Sequence, residues 1–289
     1  MGANLYLQAT MEDHFIPKMR YTYVHTSPST LRKPIRWETT VEESGNVVSL
    51  IDMARGKSFN TEDKLLFKTP YAQFLRLETD LTKTWSLGPT SSLVGHVNAG
   101  VIWSYGNSSS VPFSEMFYAG GANSIRAFSV RQIGPGRQDE LVSDNKQFAY
   151  LMRNGDMKLV ANLEYRTKLF GDLQGALFLD AGNVWNMRSY NFLNDLEGVD
   201  LSDTDPDLIV GLLGLQLLMD QGKFEPSKFL NDIALGTGFG LRYDLGFLVL
   251  RVDWGLALHF PYDTGHSGYF NISNFKKAHT LHLAVGYPF

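Results

Sequence analysis

The residues of this chain that could do chemistry are few. Glu164 and Asp180 lie on neighbouring segments, LVANLEYRTKL and LQGALFLDAGNVW, and a carboxylate pair is what a glycosidase needs for its acid and base. No groove of mixed apolar and polar groups accompanies them in sequence. His279 and His282 stand three apart on an alternating segment, which sends them to opposite faces rather than to one metal. None of the seven histidines shows metal-ligand spacing, and the absence of cysteine removes thiolate sites and disulfides. Ser124 and Ser129 lack the G-x-S-x-G setting of a hydrolase nucleophile. GGANS is followed by no Lys-Ser/Thr pair, so it does not cradle phosphate. None of these groups therefore reads as a catalytic, metal or cofactor site. One unusual stretch remains: GGANSIRAFSVRQIGPG, residues 120–136. Its glycines and its closing Gly-Pro-Gly mark a loop, yet Arg126 sits in it among small and apolar neighbours.

The elements that must position these groups read as strands. Leu159, Ala161, Leu163, Tyr165, Thr167 and Leu169 alternate with Val160, Asn162, Glu164, Arg166 and Lys168. Leu75, Leu77, Leu81 and Trp85 oppose Arg76, Glu78, Asp80 and Thr82. Leu248, Leu250, Val252, Trp254, Leu256 and Leu258 oppose Arg251 and Asp253, and Met19, Tyr21 and Tyr23 alternate with Lys18, Arg20 and Thr22. Such a strand puts each face in a different medium. Further strands fit 35–42, 92–104, 173–185, 233–245 and 279–289, with a short one at 3–10, about ten in all. They are longer than the usual five or six residues of a soluble sheet and suit a tilted membrane strand.

Short turns near 27–34, 87–91, 170–172 and 245–246 alternate with long connections over 43–73, 105–158, 186–232 and 259–278. That asymmetry is characteristic of outer-membrane barrels. The competing reading, a soluble sandwich or lipocalin-like barrel, would need more Lys and Glu on its polar faces. No apolar run approaches the roughly 18 residues of a membrane helix, and mean hydropathy is −0.15. A 13% aromatic share and 27 glycines favour β structure with many turns. The net charge of −4 points to no nucleic-acid partner. Within the third long connection, LIVGLLGLQLLM at 208–219 reads as a strand extension or packed helix, or as a segment lying on lipid.

Taken together, YAGGANSIRAF, NLEYRTKLFG and LQGALFLDAGNVW resemble the C-terminal half of the bacterial surface-antigen superfamily. That superfamily includes the BamA and TamA assembly factors and the two-partner-secretion transporters. The wording of NGDMKLVANLEYR, GTGFGLRYDL and VLRVDWG is similar to versions from Bacteroidetes, where TamA-like members occur. The resemblance implies an all-β, antiparallel transmembrane barrel of sixteen strands in the outer membrane, of which residues 1–289 supply the C-terminal portion without a POTRA domain. It implies that 105–158 is the sixth extracellular loop, folded back into the lumen, with Gly120, Gly121, Ile125, Arg126, Ala127 and Phe128 as its motif. Arg126 is then expected against Glu164 and Asp180, with Asp180 the stronger partner, which would also oppose a raised carboxylate pKa. The family usually has Gly where this chain has Ala127; if the position demands positive φ, Ala costs about 1 kcal/mol.

The C-terminal HTLHLAVGYPF puts Leu281, Leu283, Val285, Tyr287 and Phe289 on one face, and its aromatic end resembles the outer-membrane sorting signal. The family's mechanism implies a seam beside the last strand, 279–289, that opens laterally and lets a client strand add to the edge. Gly286 and Pro288 should weaken pairing there. Expected partners are the lipid bilayer and lipopolysaccharide, client outer-membrane or secreted proteins, and periplasmic or lipoprotein accessory subunits. Only about 125 residues precede the motif, so the chain is expected to be a fragment or a short member, and by itself an open sheet. Two other functions fit the same strands: a passive pore or polypeptide-secretion transporter, and the barrel anchor of a patatin-like lipase.

Overall fold

A computed structural model describes residues 14–28, 30–59, 61, 64–138, 153–188, 214, 216–217, 219–272 and 274–289. The strand expected at 3–10 and most of 208–219 lie outside them. Each alternating segment forms a strand: β1 Lys18–Thr26, β2 Ile35–Ser44, β5 Phe74–Ser86, β6 Ser91–Ser104, β7 Met157–Phe170, β8 Leu173–Trp185, β9 Ala234–Asp244, β10 Val249–His259 and β11 His279–Val285. They pair antiparallel in sequence order, a nine-stranded meander with β1 and β11 at its edges. Among the described residues the sheet is thus open, as expected. The long 43–73 connection holds two elements that alternation did not reveal. They are a helix, α1 Asn46–Ala54, and a two-residue hairpin of β3 Leu65–Leu66 and β4 Thr69–Pro70.

The polarity of the sheet is inverted relative to a soluble protein. Leu177 is 61% exposed and Leu283 77%, whereas Glu164, Asp180, Arg242 and Asp253 are 0% exposed. Apolar side chains facing out and ionised ones facing in is stable only if the outside is lipid. This excludes the soluble sandwich. From Leu75 to Trp85, outward residues of β5, the strand rises roughly 33 Å at about 3.3 Å per residue, and a tilt of about 45° projects that to roughly 23 Å, close to the height of about 25 Å of an outer-membrane barrel's apolar band.

The apolar core lies inside the curve of the sheet and is built largely by the connection between β6 and β7. Val111, Phe117, Ala119, Ile125, Ala127, Phe128 and Ile133 of that connection pack on Phe74, Ile102, Val160, Val184, Ala234, Ala257 and Phe260. Asn183 anchors its far end, donating from Nδ2 to the Gly136 carbonyl at 2.8 Å.

One expectation fails at the C-terminus. β11 stops at Val285, and Gly286 at φ +82° turns the chain. Tyr287 and Phe289 leave the outward face and fold under the sheet's inner side. Phe289 stacks on inward His96, with centroids 4.7 Å apart and planes 3° from parallel. Gly286 supplies the left-handed turn and Pro288 has no N–H to offer a ladder, so weakened pairing becomes a change of direction.

Candidate functional site

Arg126 reaches the inner wall on a tight turn. Gly120 and Gly121 adopt φ of +91° and +96°. A side chain at Gly120 would run into the Ser129 carbonyl, and one at Gly121 would meet Val130 at 2.7 Å. The chain folds back there: Gly121 N–H donates to the Phe128 carbonyl at 2.8 Å, and Phe128 N–H to that of Ile125 at 3.1 Å. Ile125, Arg126, Ala127 and Phe128 are all buried. Ala127 is not among the positive-φ residues, so the strain anticipated for Ala in place of Gly does not arise.

Asp180 of β8 takes Arg126 in three bonds. Its Oδ2 accepts from the backbone N–H of Arg126 at 2.9 Å and from Nε at 2.8 Å, and its Oδ1 accepts from Nη2 at 2.8 Å. Nη1 donates to Glu164 Oε2 of β7. Below the guanidinium lies the ring of Phe178, 3.6 Å from Cζ to centroid, a cation–π contact. Asn162 Nδ2 adds a 2.8 Å bond to Asp180 Oδ1 and a 2.7 Å bond to the Ser124 carbonyl, fixing the carboxylate and the turn together.

Glu164 serves three arginines. Arg166 Nε donates to Oε1 at 2.6 Å, and Arg242 Nη2 of β9 donates to Oε2 at 2.9 Å, the oxygen that also receives Arg126. Arg242 continues to Asp253 Oδ1 at 3.1 Å, and Asp253 Oδ2 to Arg251 Nε at 3.3 Å, both on β10. Arg251 Nη2 returns to the loop at Asn123 Oδ1, 2.5 Å. The carbonyl of Arg126 is held from the edge strand: Thr280 Oγ1 donates at 2.6 Å and His282 Nε2 at 3.0 Å. One residue of the loop is therefore bonded to β7, β8 and β11 at once.

Two glycines make room for it. A Cβ on Gly255 of β10 would sit 2.7 Å from the Arg126 carbonyl carbon and 2.8 Å from Ala127 Cα, and one on Gly236 of β9 would meet Ala127 Cβ. Beneath, Arg166 lies under the C-terminal tail, its Cζ 4.7 Å from the Tyr287 ring and 5.4 Å from that of Phe289; Arg126 is 5.8 Å from the latter.

An Omp85 superfamily domain matches residues 56–275. The chain belongs to the Omp85 superfamily. Over 116 residues, 38% of the chain, it is 29% identical to the outer membrane protein assembly factor BamA of Neisseria meningitidis. The match spans only 14% of that protein's length. Similar solved structures include BamA from Haemophilus ducreyi lacking POTRA domains 1–3, at 14% identity and TM-score 0.43, over 84% of this chain and 51% of that one. CdiB from Escherichia coli is also similar, at 14% identity and TM-score 0.49, over 93% and 36%. This Omp85 chain is an outer-membrane β-barrel protein, as its motifs led us to expect.

Sequence reasoning brought Arg126, Glu164 and Asp180 together and missed most of what surrounds them. Arg166, Arg251 and Asp253 stood on the polar faces of their strands, and that parity is the signal that places them inside. The roles of Thr280, His282, Gly236 and Gly255 had no sequence signal beyond their inward parity.

Proposed function

We propose that this Omp85 chain forms part of an outer-membrane factor that inserts or exports client proteins through a lateral seam beside β11, without catalysing a covalent reaction. In this reading the connection over 105–158 is the inward-folding sixth loop, and Arg126, Glu164 and Asp180 are its lock, with Gly120, Gly121, Ile125, Ala127 and Phe128 shaping the tip. The chain is the C-terminal portion of the barrel, and its aromatic end, Tyr287 and Phe289, serves as its own sorting signal. One observation carries the reading: the Arg126 carbonyl accepts from Thr280 and His282 of the seven-residue edge strand while its side chain is held by β7 and β8. The loop tip spans the inner wall and reaches the strand at which a seam would open. A passive pore has no use for such a bridge, and its lumen would be obstructed by the buried tip. An edge strand with free backbone groups is what a client strand pairs with.

Clients and accessory subunits follow from this role: nascent outer-membrane or secreted proteins, and periplasmic or lipoprotein helpers. The test is a photo-activatable residue in place of Leu283, which lies exposed on β11. In cells making outer-membrane proteins it should cross-link to client chains, and the adducts should diminish when client synthesis stops. Adducts to lipid alone, unchanged by client supply, would refute the seam. A steady ion conductance with substrate selectivity would favour the pore instead.

A further inference from the structure

The helix α1 is built inside out. Its inward stripe is polar: Asn46, Ser49 and Asp52, spaced three apart, of which Ser49 and Asp52 are buried. Asn46 Nδ2 donates to Tyr105 Oη at 2.8 Å and its Oδ1 accepts from Gln73 Nε2 at 3.1 Å. Asp52 accepts from Tyr71 Oη at 3.3 Å and pairs with Lys57 Nζ at 3.3 Å. The other side carries Val47, Leu50, Ile51 and Met53, all exposed, with Leu50 at 64%. The hairpin that follows is also apolar on its exposed side, with Leu65 and with Phe67 at 84%, whose ring meets Phe15 edge-on at 6.1 Å. A helix lying against water turns its apolar stripe to the core. Here the polar stripe has the core and the apolar one is outside, the inversion already seen in the strands.

Chain connectivity sets the level at which this surface sits. Met19, Glu43, Leu75 and Trp103 form one cross-strand row at the end of β1, β2, β5 and β6 that carries the long connections. Met19, Leu75 and Trp103 of that row face outward and exposed, and an outward Trp at a strand end marks the rim of the apolar band. Only Gly45 separates β2 from α1, and Asn46 follows Glu43 by three residues, so the helix begins within about 10 Å of that rim at roughly 3.5 Å per residue. The row's one carboxylate, Glu43, accepts from the Asn46 N–H at the helix's positive end, 3.2 Å away. Arg55, directly after the helix, and Lys68, directly after Phe67, stand exposed, and cations so placed favour anionic headgroups.

We infer that α1 and the β3–β4 hairpin form an interfacial foot that lies in the outer leaflet, with Leu50, Ile51 and Phe67 among the acyl chains and Arg55 and Lys68 at the phosphates. This lipid contact goes beyond the assembly role proposed above and does not depend on it. Local anchoring of a loop beside β1 and β2 would fix the rim of the barrel on the side opposite β11.

The chain has no native cysteine, so single-cysteine variants carry one polarity-sensitive fluorophore each. Leu50→Cys and, as a second position, Val47→Cys are compared in isolated outer membranes with Leu163→Cys, on the outward face of β7, and Ser267→Cys, in an exposed loop. The inference expects blue-shifted emission at both helix positions and quenching by a nitroxide lipid labelled near the headgroup to at least the extent seen at Leu163. It also expects loss of the iodide quenching seen at Ser267. Iodide quenching equal to that at Ser267 would overturn it, leaving the face in water. Shielding from both quenchers would overturn it in favour of a protein cover.

Discussion

Replacing Arg126 with alanine is the sharpest probe of the loop's seat, and its effect can be worked from the contacts. Glu164 keeps two arginines, Arg166 at 2.6 Å and Arg242 at 2.9 Å, and is not stranded. Asp180 loses both side-chain donors of the Arg126 guanidinium and keeps the residue-126 N–H and Asn162. Breaking a buried charged pair from one side costs about 3–5 kcal/mol, and the two surviving donors put this case near the low end, about 3 kcal/mol. At about 1.4 kcal/mol per decade that raises the unseated population roughly a hundredfold. Tryptic cleavage after Arg131, five residues on in the same turn, reads this population directly when reseating outpaces cleavage. The variant should be cut roughly a hundredfold faster than the parent, while Arg126→Lys falls between them because an ammonium lacks the planar fork. Arg126→Met combined with Asp180→Leu should recover much of the protection, since no carboxylate is then left alone in the wall. Unchanged cleavage of Arg126→Ala would mean that apolar packing of Ile125 and Phe128 seats the loop without the lock.

Other perturbations separate charge from shape. Asp180→Asn turns an amide against donors and should release the loop much as Arg126→Ala does, whereas Glu164→Gln leaves Arg126, Arg166 and Arg242 facing each other and should lower the barrel's unfolding temperature more than it loosens the loop. Gly255→Ala puts a methyl against the Arg126 backbone; it should raise tryptic cleavage although every charge is retained. Deleting Tyr287–Phe289 removes the rings over Arg166 and His96 and should leave the loop protected while reducing the yield of inserted protein; normal insertion would argue against a sorting role. Burial pushes the Asp156 carboxyl, directly before β7, up to about 7, against the pull of the Met187 N–H that it accepts at 2.6 Å. Its ionisation therefore opposes folding: the penalty is absent below about pH 4, the unfolded value, and complete once pH has risen past about 7. Protection factors around residues 153–158, with the intrinsic pH dependence of exchange divided out, should fall over that range, and Asp156→Asn should flatten the response.

Period-two alternation was enough to lay out the sheet, because a strand between lipid and a polar lumen writes both media into its sequence. Strand order followed from short turns, which leave antiparallel neighbours no other arrangement. The helix α1 was not legible for a related reason. Its polar residues are the buried ones, and the search for an apolar core face finds nothing in Asn46, Ser49 and Asp52. The C-terminal turn was misread because alternation through Val285 continues formally to Phe289, and Gly286 alone does not say whether a strand frays or turns under. At the site, parity told which charges face inward but not which meet. Glu164 is shared among three arginines only because β9 brings Arg242 beside β7 across β8, a second-neighbour contact that no single strand encodes.

The arrangement also explains why a loop that already buries Ile125, Ala127 and Phe128 should carry an arginine. Apolar contacts attract without fixing direction, so packing alone would tolerate a tip displaced by a residue. The lock does not. Arg126 presents its backbone N–H and its Nε to the same Asp180 oxygen, and its own carbonyl to Thr280 and His282. A one-residue slip would leave a carboxylate buried without its fork. Four guanidiniums, of Arg126, Arg166, Arg242 and Arg251, face the three carboxylates of Glu164, Asp180 and Asp253 among the described residues. The surplus positive charge is met by the π faces of Phe178, Tyr287 and Phe289. Such a network adds little net stability over apolar packing, because each ion has given up its hydration. What it adds is one defined seat for the loop, tied through the Arg126 carbonyl to Thr280 and His282 of the strand at the sheet's edge.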